Sequence, residues 1–238
     1  MFDKGEQSLD VETISIPARN DRPFSGLRAL YVFIKDVIGR PVALLLTILV
    51  SPILILIAIG IRLDSPGHPI FSQKRTGKNG QGFTAYKFRT MTVNNDDSAY
   101  KTYLKQYILQ NAPYKVNGNG EPVFKLIDDP RITRVGALLR RSNLDELPQL
   151  FNLIKGDMAL IGPRPDIPYS VKMYQDWHNK RLAVKPGITG LWQVASRKSL
   201  SFDDMVKLDI EYIERQSPLL DLKIIFLTVR TILKGDGS

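Results

Sequence analysis

Cysteine is missing from the 238 residues, and histidine occurs only as His68 and His178, without an H-x-x-x-H spacing. A disulfide framework and a thiolate metal site are thereby excluded, zinc lacks a ligand pattern, and any metal is expected to be held by oxygen. Acidic residues are in the minority: 33 Lys and Arg against 24 Asp and Glu leave a formal charge of +9. That surplus suits an anionic partner, whether nucleic acid, nucleotide or acidic lipid headgroups. Zinc fingers, aromatic RNA-binding motifs and basic low-complexity tails are also lacking, so nucleic acid is supported by the sign of the charge and nothing more. Residues 1–25 lack periodicity, contain Pro17 and Pro23, and read as a mobile tail. The apolar stretch that follows begins too late for a secretory signal and is not succeeded by a small-residue cleavage pattern.

What is present is enough for a core. The hydrophobic share is 43% and the aromatic share 9%, which fits one globular domain with appendages. Residues 42–61 (VALLLTILVSPILILIAIGI) carry no charge over 20 positions, about 30 Å of helix and enough to cross a hydrocarbon core. Yet Arg28, Lys35 and Arg40 precede this run and Arg62, Lys74, Arg75 and Lys78 follow it. Cations at both ends place both ends on the cytoplasmic side, so the segment is expected to enter and return. Ser51-Pro52 near its middle supplies the break: proline removes one helical hydrogen bond, and the serine hydroxyl can bond a freed carbonyl. An ordinary proline kink in a spanning helix is the simpler alternative.

Beyond residue 64 the chain turns polar. Residues 69–91 alternate around Gly77-Lys78-Asn79-Gly80 and predict a β-hairpin. Tyr100, Tyr103, Leu104, Tyr107 and Ile108 recur at helical spacing, giving an amphipathic helix over residues 96–110 whose aromatic stripe suits core or interface packing. Residues 117–120 (NGNG) read as a turn, and Asp128-Asp129-Pro130 as a turn starter rather than a metal site. Residues 169–181 are expected to be helical, and residues 185–190 to form a loop whose amides suit phosphate without matching a known phosphate fingerprint. Ser201 with Asp204 caps the next helix, and Ser217-Pro218 opens the last one, crowded with apolar residues and carrying Lys223, Arg230 and Lys234 on one face. Such a helix suits a bilayer interface.

The densest chemistry lies in residues 136–166 (GALLRRSNLDELPQLFNLIKGDMALIGPRPD). Leu147, Leu150, Phe151 and Ile154 keep helical spacing, so Asp145 and Glu146 fall in a first turn, just ahead of Pro148. Taken alone, Asn143 and Glu146 read as a capping box, with Asp145 complementing the helix dipole. Arg140 and Arg141 on one side and Arg164 on the other supply more cationic charge than a cap requires. Arginine forks and helix N-termini are the usual means of holding phosphate. A carboxylate beside such a site implies either a bridging cation or attack on phosphorus.

Five ordered motifs over roughly 200 residues resemble the monotopic phosphoglycosyl transferases, also called bacterial sugar transferases. They are Lys87-Phe88-Arg89-Thr90-Met91, Asp129-Pro130-Arg131-Ile132-Thr133, Leu144-Asp145-Glu146-Leu147-Pro148-Gln149, Gly162-Pro163-Arg164-Pro165 and Lys185-Pro186-Gly187-Ile188-Thr189-Gly190-Leu191-Trp192-Gln193. The N-terminal tail and the segment between Met91 and Val123 depart from the small members of that family. The resemblance implies a mainly helical α+β fold: a tail over 1–26, a re-entrant membrane helix over 27–62 broken at Ser51-Pro52, and a cytosolic catalytic domain over 63–238 with a small β-hairpin and interfacial amphipathic helices. It implies transfer of a hexose 1-phosphate from a UDP-sugar to undecaprenyl phosphate at the cytoplasmic face of a bacterial inner membrane. Asp145 is then the nucleophile and Glu146, with Asp145, holds Mg²⁺ or Mn²⁺. Arg164, between Pro163 and Pro165, binds the nucleotide phosphate or uridine, and Lys87, Arg89, Arg140 and Arg141 are further phosphate ligands. The KFRTM face looks into the site. Membrane lipids and downstream glycosyltransferases are the implied partners, nucleic acid is not, and an oligomer is compatible. A non-enzymatic adaptor for acidic lipids is the competing class; it leaves the carboxylate and arginine grouping without a purpose.

Overall fold

An uncharged run of twenty residues favours helix in any solvent that hides its side chains, and here it is absorbed into one long element. In a computed structural model describing residues 26–93, 98–116, 122–123, 129, 131–195 and 200–234, helix α1 (Gly26–Asp64) contains both Pro41 and Pro52. Pro52 deprives the Ile48 carbonyl of its usual donor, and the Ser51 hydroxyl donates to that same carbonyl at 2.8 Å. Helix assignment thus runs on through Ser51-Pro52, with the serine hydroxyl taking over the carbonyl that proline leaves without a donor. By length and composition α1 can cross a membrane. Its inner flank rests on protein, with Ala43 against Leu150, Leu153 and Met158 and Ile61 against Phe88 and Leu139. The outer flank, including Leu45, Leu49, Leu56 and Leu63, is exposed.

After α1, strands β1 (Ile70–Thr76) and β2 (Gly82–Phe88) pair antiparallel from Ile70 opposite Phe88 to Thr76 opposite Gly82. The connecting turn uses Asn79 and Gly80, both at positive φ. Alternation along β2 sends Phe88 into the core beneath α1 and Lys87 to the other face. The chain beyond β2 continues as a ledge: Met91 bridges Ile132, and the Thr133 amide bonds the Thr90 carbonyl at 3.1 Å. Thr133 then caps helix α3 (Arg134–Ser142) by accepting the Gly136 amide.

Helix α2 (Ser98–Gln110) falls within the expected range, of which residues 96 and 97 lie outside those described. Tyr103 and Ile108 are buried, and Tyr107 packs edge-on to Phe202, so the aromatic stripe serves the core. Two-residue strands β3 (Lys115–Val116) and β4 (Pro122–Val123) pair antiparallel. The tail, the turn at residues 117–120 and Asp128 lie outside the described residues.

A 3₁₀ helix (Leu144–Gln149) runs into α4 (Leu150–Lys155), and β5 (Ala159–Ile161) follows. The single helix expected over residues 169–181 is split into α5 (Pro168–Val171) and a 3₁₀ helix (Asp176–Ala183). The restart is set by Gln175 and His178 in a reciprocal cap, with the buried His178 accepting the Gln175 amide on Nδ1 at 3.0 Å. Strand β6 (Gly187–Thr189) replaces the expected loop and pairs parallel with β5. A Cβ on Gly187 would stand 2.1 Å from the Gly162 nitrogen, so only glycine allows this contact.

Helices α6 (Leu191–Ala195), α7 (Phe202–Arg215) and α8 (Pro218–Lys234) enclose Ile161, Leu191, Tyr212 and Ile224 in a second core. Ser201 caps α7 through the Asp204 amide, and Ser217 accepts the Leu220 amide at the start of α8. One face of α8 is core; the other exposes Leu219, Leu222, Phe226 and Val229.

Candidate active site

Asp145 is placed by the way α3 ends. Asn143 closes α3 in the left-handed region (φ 55°), reversing the chain so that Leu144–Gln149 turns under β2. Its side chain makes no capping bond to the 3₁₀ helix, so the capping box does not form. Glu146 is engaged elsewhere: its Oε1 accepts from Lys87 Nζ at 2.7 Å and from Arg164 Nη2 at 2.6 Å. Lys87 and Glu146 keep 20% and 12% of their side-chain surface.

The adjacent carboxylates differ in character. Asp145 is buried, and its Oδ1 has no hydrogen-bond partner. Burial pushes its pKa up and Glu146 adds to the rise, while Lys87, Arg164 and Arg140 oppose it. Burial also works against ionised Glu146, but Arg164 and then Lys87 outweigh it and hold that carboxyl well below the usual range. One carboxylate is thus locked as an anion by two cations, and the other keeps an uncommitted oxygen.

The Pro163-Arg164-Pro165 strip is held along its whole backbone. Four successive carbonyls each receive a donor: Pro163 from the Gly187 amide at 2.9 Å, Arg164 from Arg181 Nη2 at 3.1 Å, Pro165 from Arg75 Nη1 at 3.0 Å and Asp166 from the Thr76 amide at 2.8 Å. Prolines on both sides restrict the Arg164 backbone further. Arg181 is itself buried, and also binds Asp166 at 2.8 Å and Asp209 at 2.5 Å.

The sequence-expected ligands divide accordingly. Lys87 and Arg164 grip Glu146, and both, together with Arg140, favour the ionised form of Asp145; Arg140 is itself held by a 2.9 Å bond from Nε to Thr90 Oγ1. Arg89 is not in the group. It is buried the other way, donating to the carbonyls of Ser65 and Pro66 to close the turn after α1, so the KFRTM motif sends Lys87 and Thr90 toward the site and keeps Arg89 for structure. Arg141 is exposed on α3. The amide of Gly187, expected to be available for phosphate, is consumed by Pro163. Asp129 is closed off as well, its carboxylate taken by Arg131 at 2.6 Å in the expected turn.

Three residues without an expected role at the site border it: Arg75, Arg181 and Tyr100. The Tyr100 hydroxyl, raised in pKa by burial, lies in the field of Arg75, Arg164 and Arg140. No local pattern marks them, since each reaches the site through tertiary packing.

Among the described residues no group of three or more His, Asp or Glu is arranged to hold a metal. The uncommitted Asp145 Oδ1 beside Glu146 fits a hard cation that takes one or two carboxylates and fills its shell with water and substrate phosphate, as Mg²⁺ does.

A carboxylate pair of unequal character, Asp145 buried and Glu146 partly so, thus lies among lysine and arginine next to a long apolar helix. The chain belongs to the bacterial sugar transferase family, whose profile matches residues 30–235. It is similar to the galactosyl transferase CpsE of Streptococcus agalactiae, 41% identical over 204 residues, covering 85% of this chain and 42% of the relative. It is likewise similar to the undecaprenyl-phosphate galactose phosphotransferase of Salmonella typhimurium, 38% identical over 206 residues, 87% of this chain and 42% of that protein. The exopolysaccharide production protein ExoY of Sinorhizobium fredii is 37% identical over 198 residues and is matched over 84% of its length, against 83% of this chain. The chain therefore spans less than half of the first two relatives and most of the third.

Proposed function

We propose that this chain transfers a hexose 1-phosphate from a UDP-sugar to undecaprenyl phosphate and releases UMP, a membrane step in building an exopolysaccharide, capsule or O-antigen. The observation that carries the reading is the buried, uncommitted Asp145 Oδ1 beside Glu146, Lys87, Arg164 and Arg140. In the reaction, Asp145 Oδ1 forms a bond to the β-phosphorus of the nucleotide sugar as the bond to the UMP oxygen breaks. The aspartyl phosphate so formed is attacked by a lipid phosphate oxygen, which restores the carboxylate and completes a ping-pong cycle. Arg164, Lys87 and Arg140 offset charge on the departing UMP and on the transferred phosphoryl group, where a preorganised donor is typically worth about 3–4 kcal/mol. Asp145 and Glu146 would hold Mg²⁺, or Mn²⁺ in its place. Bound there, the ion would supply charge neutralisation between carboxylate and diphosphate.

The membrane arrangement we infer is monotopic. Lys35 and Asp36 near one end of α1 bind Ile161 and Lys185, while Asp64 at the other end accepts the Val135 amide. Ends that bind one domain lie on one side of a bilayer, which favours re-entrance over spanning. The exposed faces of α1 and α8 would enter lipid, with the catalytic domain cytoplasmic.

A panel of UDP-sugars incubated with undecaprenyl phosphate and the protein in membranes tests the reading by UMP release. At least one sugar should give acceptor-dependent turnover. Release by none, from folded protein with divalent cation present, contradicts the assignment.

A further inference from the structure

Lys35 is a charged group in a place where charge is costly. It keeps 15% of its side-chain surface, within a helix whose other inner contacts are largely apolar. Each of its three N–H donors has an acceptor: Ile161 O at 2.9 Å, the Tyr212 hydroxyl at 2.5 Å and Asp221 Oδ2 at 2.6 Å. The same Asp221 accepts from Tyr31 at 2.6 Å and from Tyr212 at 2.8 Å, closing a polar knot between α1, α7 and α8. The next residue, Asp36, binds Lys185 Nζ through both oxygens, at 2.6 and 2.7 Å.

Both contacts fall at sensitive points. Ile161 ends β5, and Gly162, Pro163 and Arg164 follow it immediately. Lys185 stands two residues before Gly187, whose amide holds the Pro163 carbonyl. Between them β5 and β6 are pressed together at Gly162 and Gly187, closer than any side chain permits. A shift of the Ile161 carbonyl or of Lys185 has no slack to absorb it before it reaches Arg164, and Arg164 in turn fixes Glu146.

We propose that Lys35 and Asp36 are positioning residues through which the membrane helix α1 holds the Pro163-Arg164-Pro165 strip in register with Asp145. This rests on the proposed transfer reaction. A plain structural ion pair would contribute to stability alone, whereas a positioning pair makes donor binding depend on it.

Asp36–Lys185 is the arm to test first, because both side chains are partly exposed and the fold tolerates their loss better than loss of the buried Lys35. Asp36→Asn and Lys185→Met should each raise the KM for the UDP-sugar about tenfold, as expected when a binding group is displaced by a fraction of an ångström. The KM for undecaprenyl phosphate should stay unchanged, and the reversed pair Asp36→Lys with Lys185→Asp should recover much of the donor KM. Amide hydrogen exchange in the same proteins should quicken at Gly162 and Gly187, a readout that needs no turnover. Folded variants with unaltered donor KM and unaltered exchange at those amides overturn the proposal. Wild-type protein that releases no UMP overturns the reaction instead, and the exchange data then decide the clamp separately.

Discussion

At the scale of single residues, the site separates two neighbouring carboxylates by their surroundings. Asp145 has a pKa raised by burial, so in the folded protein it binds its proton more tightly than in the unfolded chain. Ionised Asp145 is therefore a cost that appears as pH rises through the ordinary aspartate range toward its raised native value. Asp145→Asn should abolish UMP release yet raise the thermal midpoint of the metal-free protein at neutral pH; a lowered midpoint would count against a strained nucleophile.

Glu146 has the opposite sign. Its native pKa is depressed, so its stabilisation is present above the ordinary glutamate range and is lost only as pH falls through the depressed native value. Glu146→Gln leaves Lys87 and Arg164 without their shared anion, and breaking a buried pair on one side typically costs about 3–5 kcal/mol. Denaturant unfolding at neutral pH measures it. A midpoint equal to wild type would show that the two cations find other partners without cost.

At the scale of elements, the long apolar run and the capped starts of α7 and α8 were legible because helical periodicity, Ser caps and proline at the first turn act locally. The motifs held residues that the fold brings together, Lys87, Glu146 and Arg164 among them, but gave no sign of which partner each would take. Arg89 and Lys87 sit two residues apart and would face the same way in an unbroken strand, yet Arg89 lies past the end of β2, where the turn after α1 captures it. Strand β6 was read as a loop because three residues paired to a three-residue partner give no alternation to see. The split of residues 169–181 depends on His178 and Gln175 capping each other, a pairing that helical spacing hides. For α1, the expectation that the Ser51 hydroxyl bonds a freed carbonyl is met at Ile48. Pro52→Leu restores an amide donor there and should favour a straight, spanning helix. Cysteines introduced at Gly26 and Lys101 should both resist a membrane-impermeant periplasmic reagent in the wild type. Periplasmic labelling at position 26 of the wild type would refute re-entrance, and the Pro52→Leu protein should show such labelling in part.

At the scale of the whole molecule, the apolar helix α1, the exposed apolar face of α8 and a site lined by cations form one body, which suits the proposed pair of substrates of opposite solubility. Oxygen donors dominate the site, so EDTA should silence the enzyme, Mg²⁺ or Mn²⁺ should restore it, and a zinc-selective chelator should leave it active. Full turnover in excess EDTA would remove the metal from Asp145 and Glu146.

The central claim is that Asp145 carries the sugar phosphate between donor and lipid. Intact-protein and peptide mass spectrometry of enzyme incubated with UDP-sugar alone tests it most directly. The account predicts a hexose-phosphate adduct on Asp145, stoichiometric UMP release without lipid, and neither in Asp145→Asn. Absence of any adduct, together with kinetics that require both substrates bound before UMP appears, would contradict it and favour direct transfer.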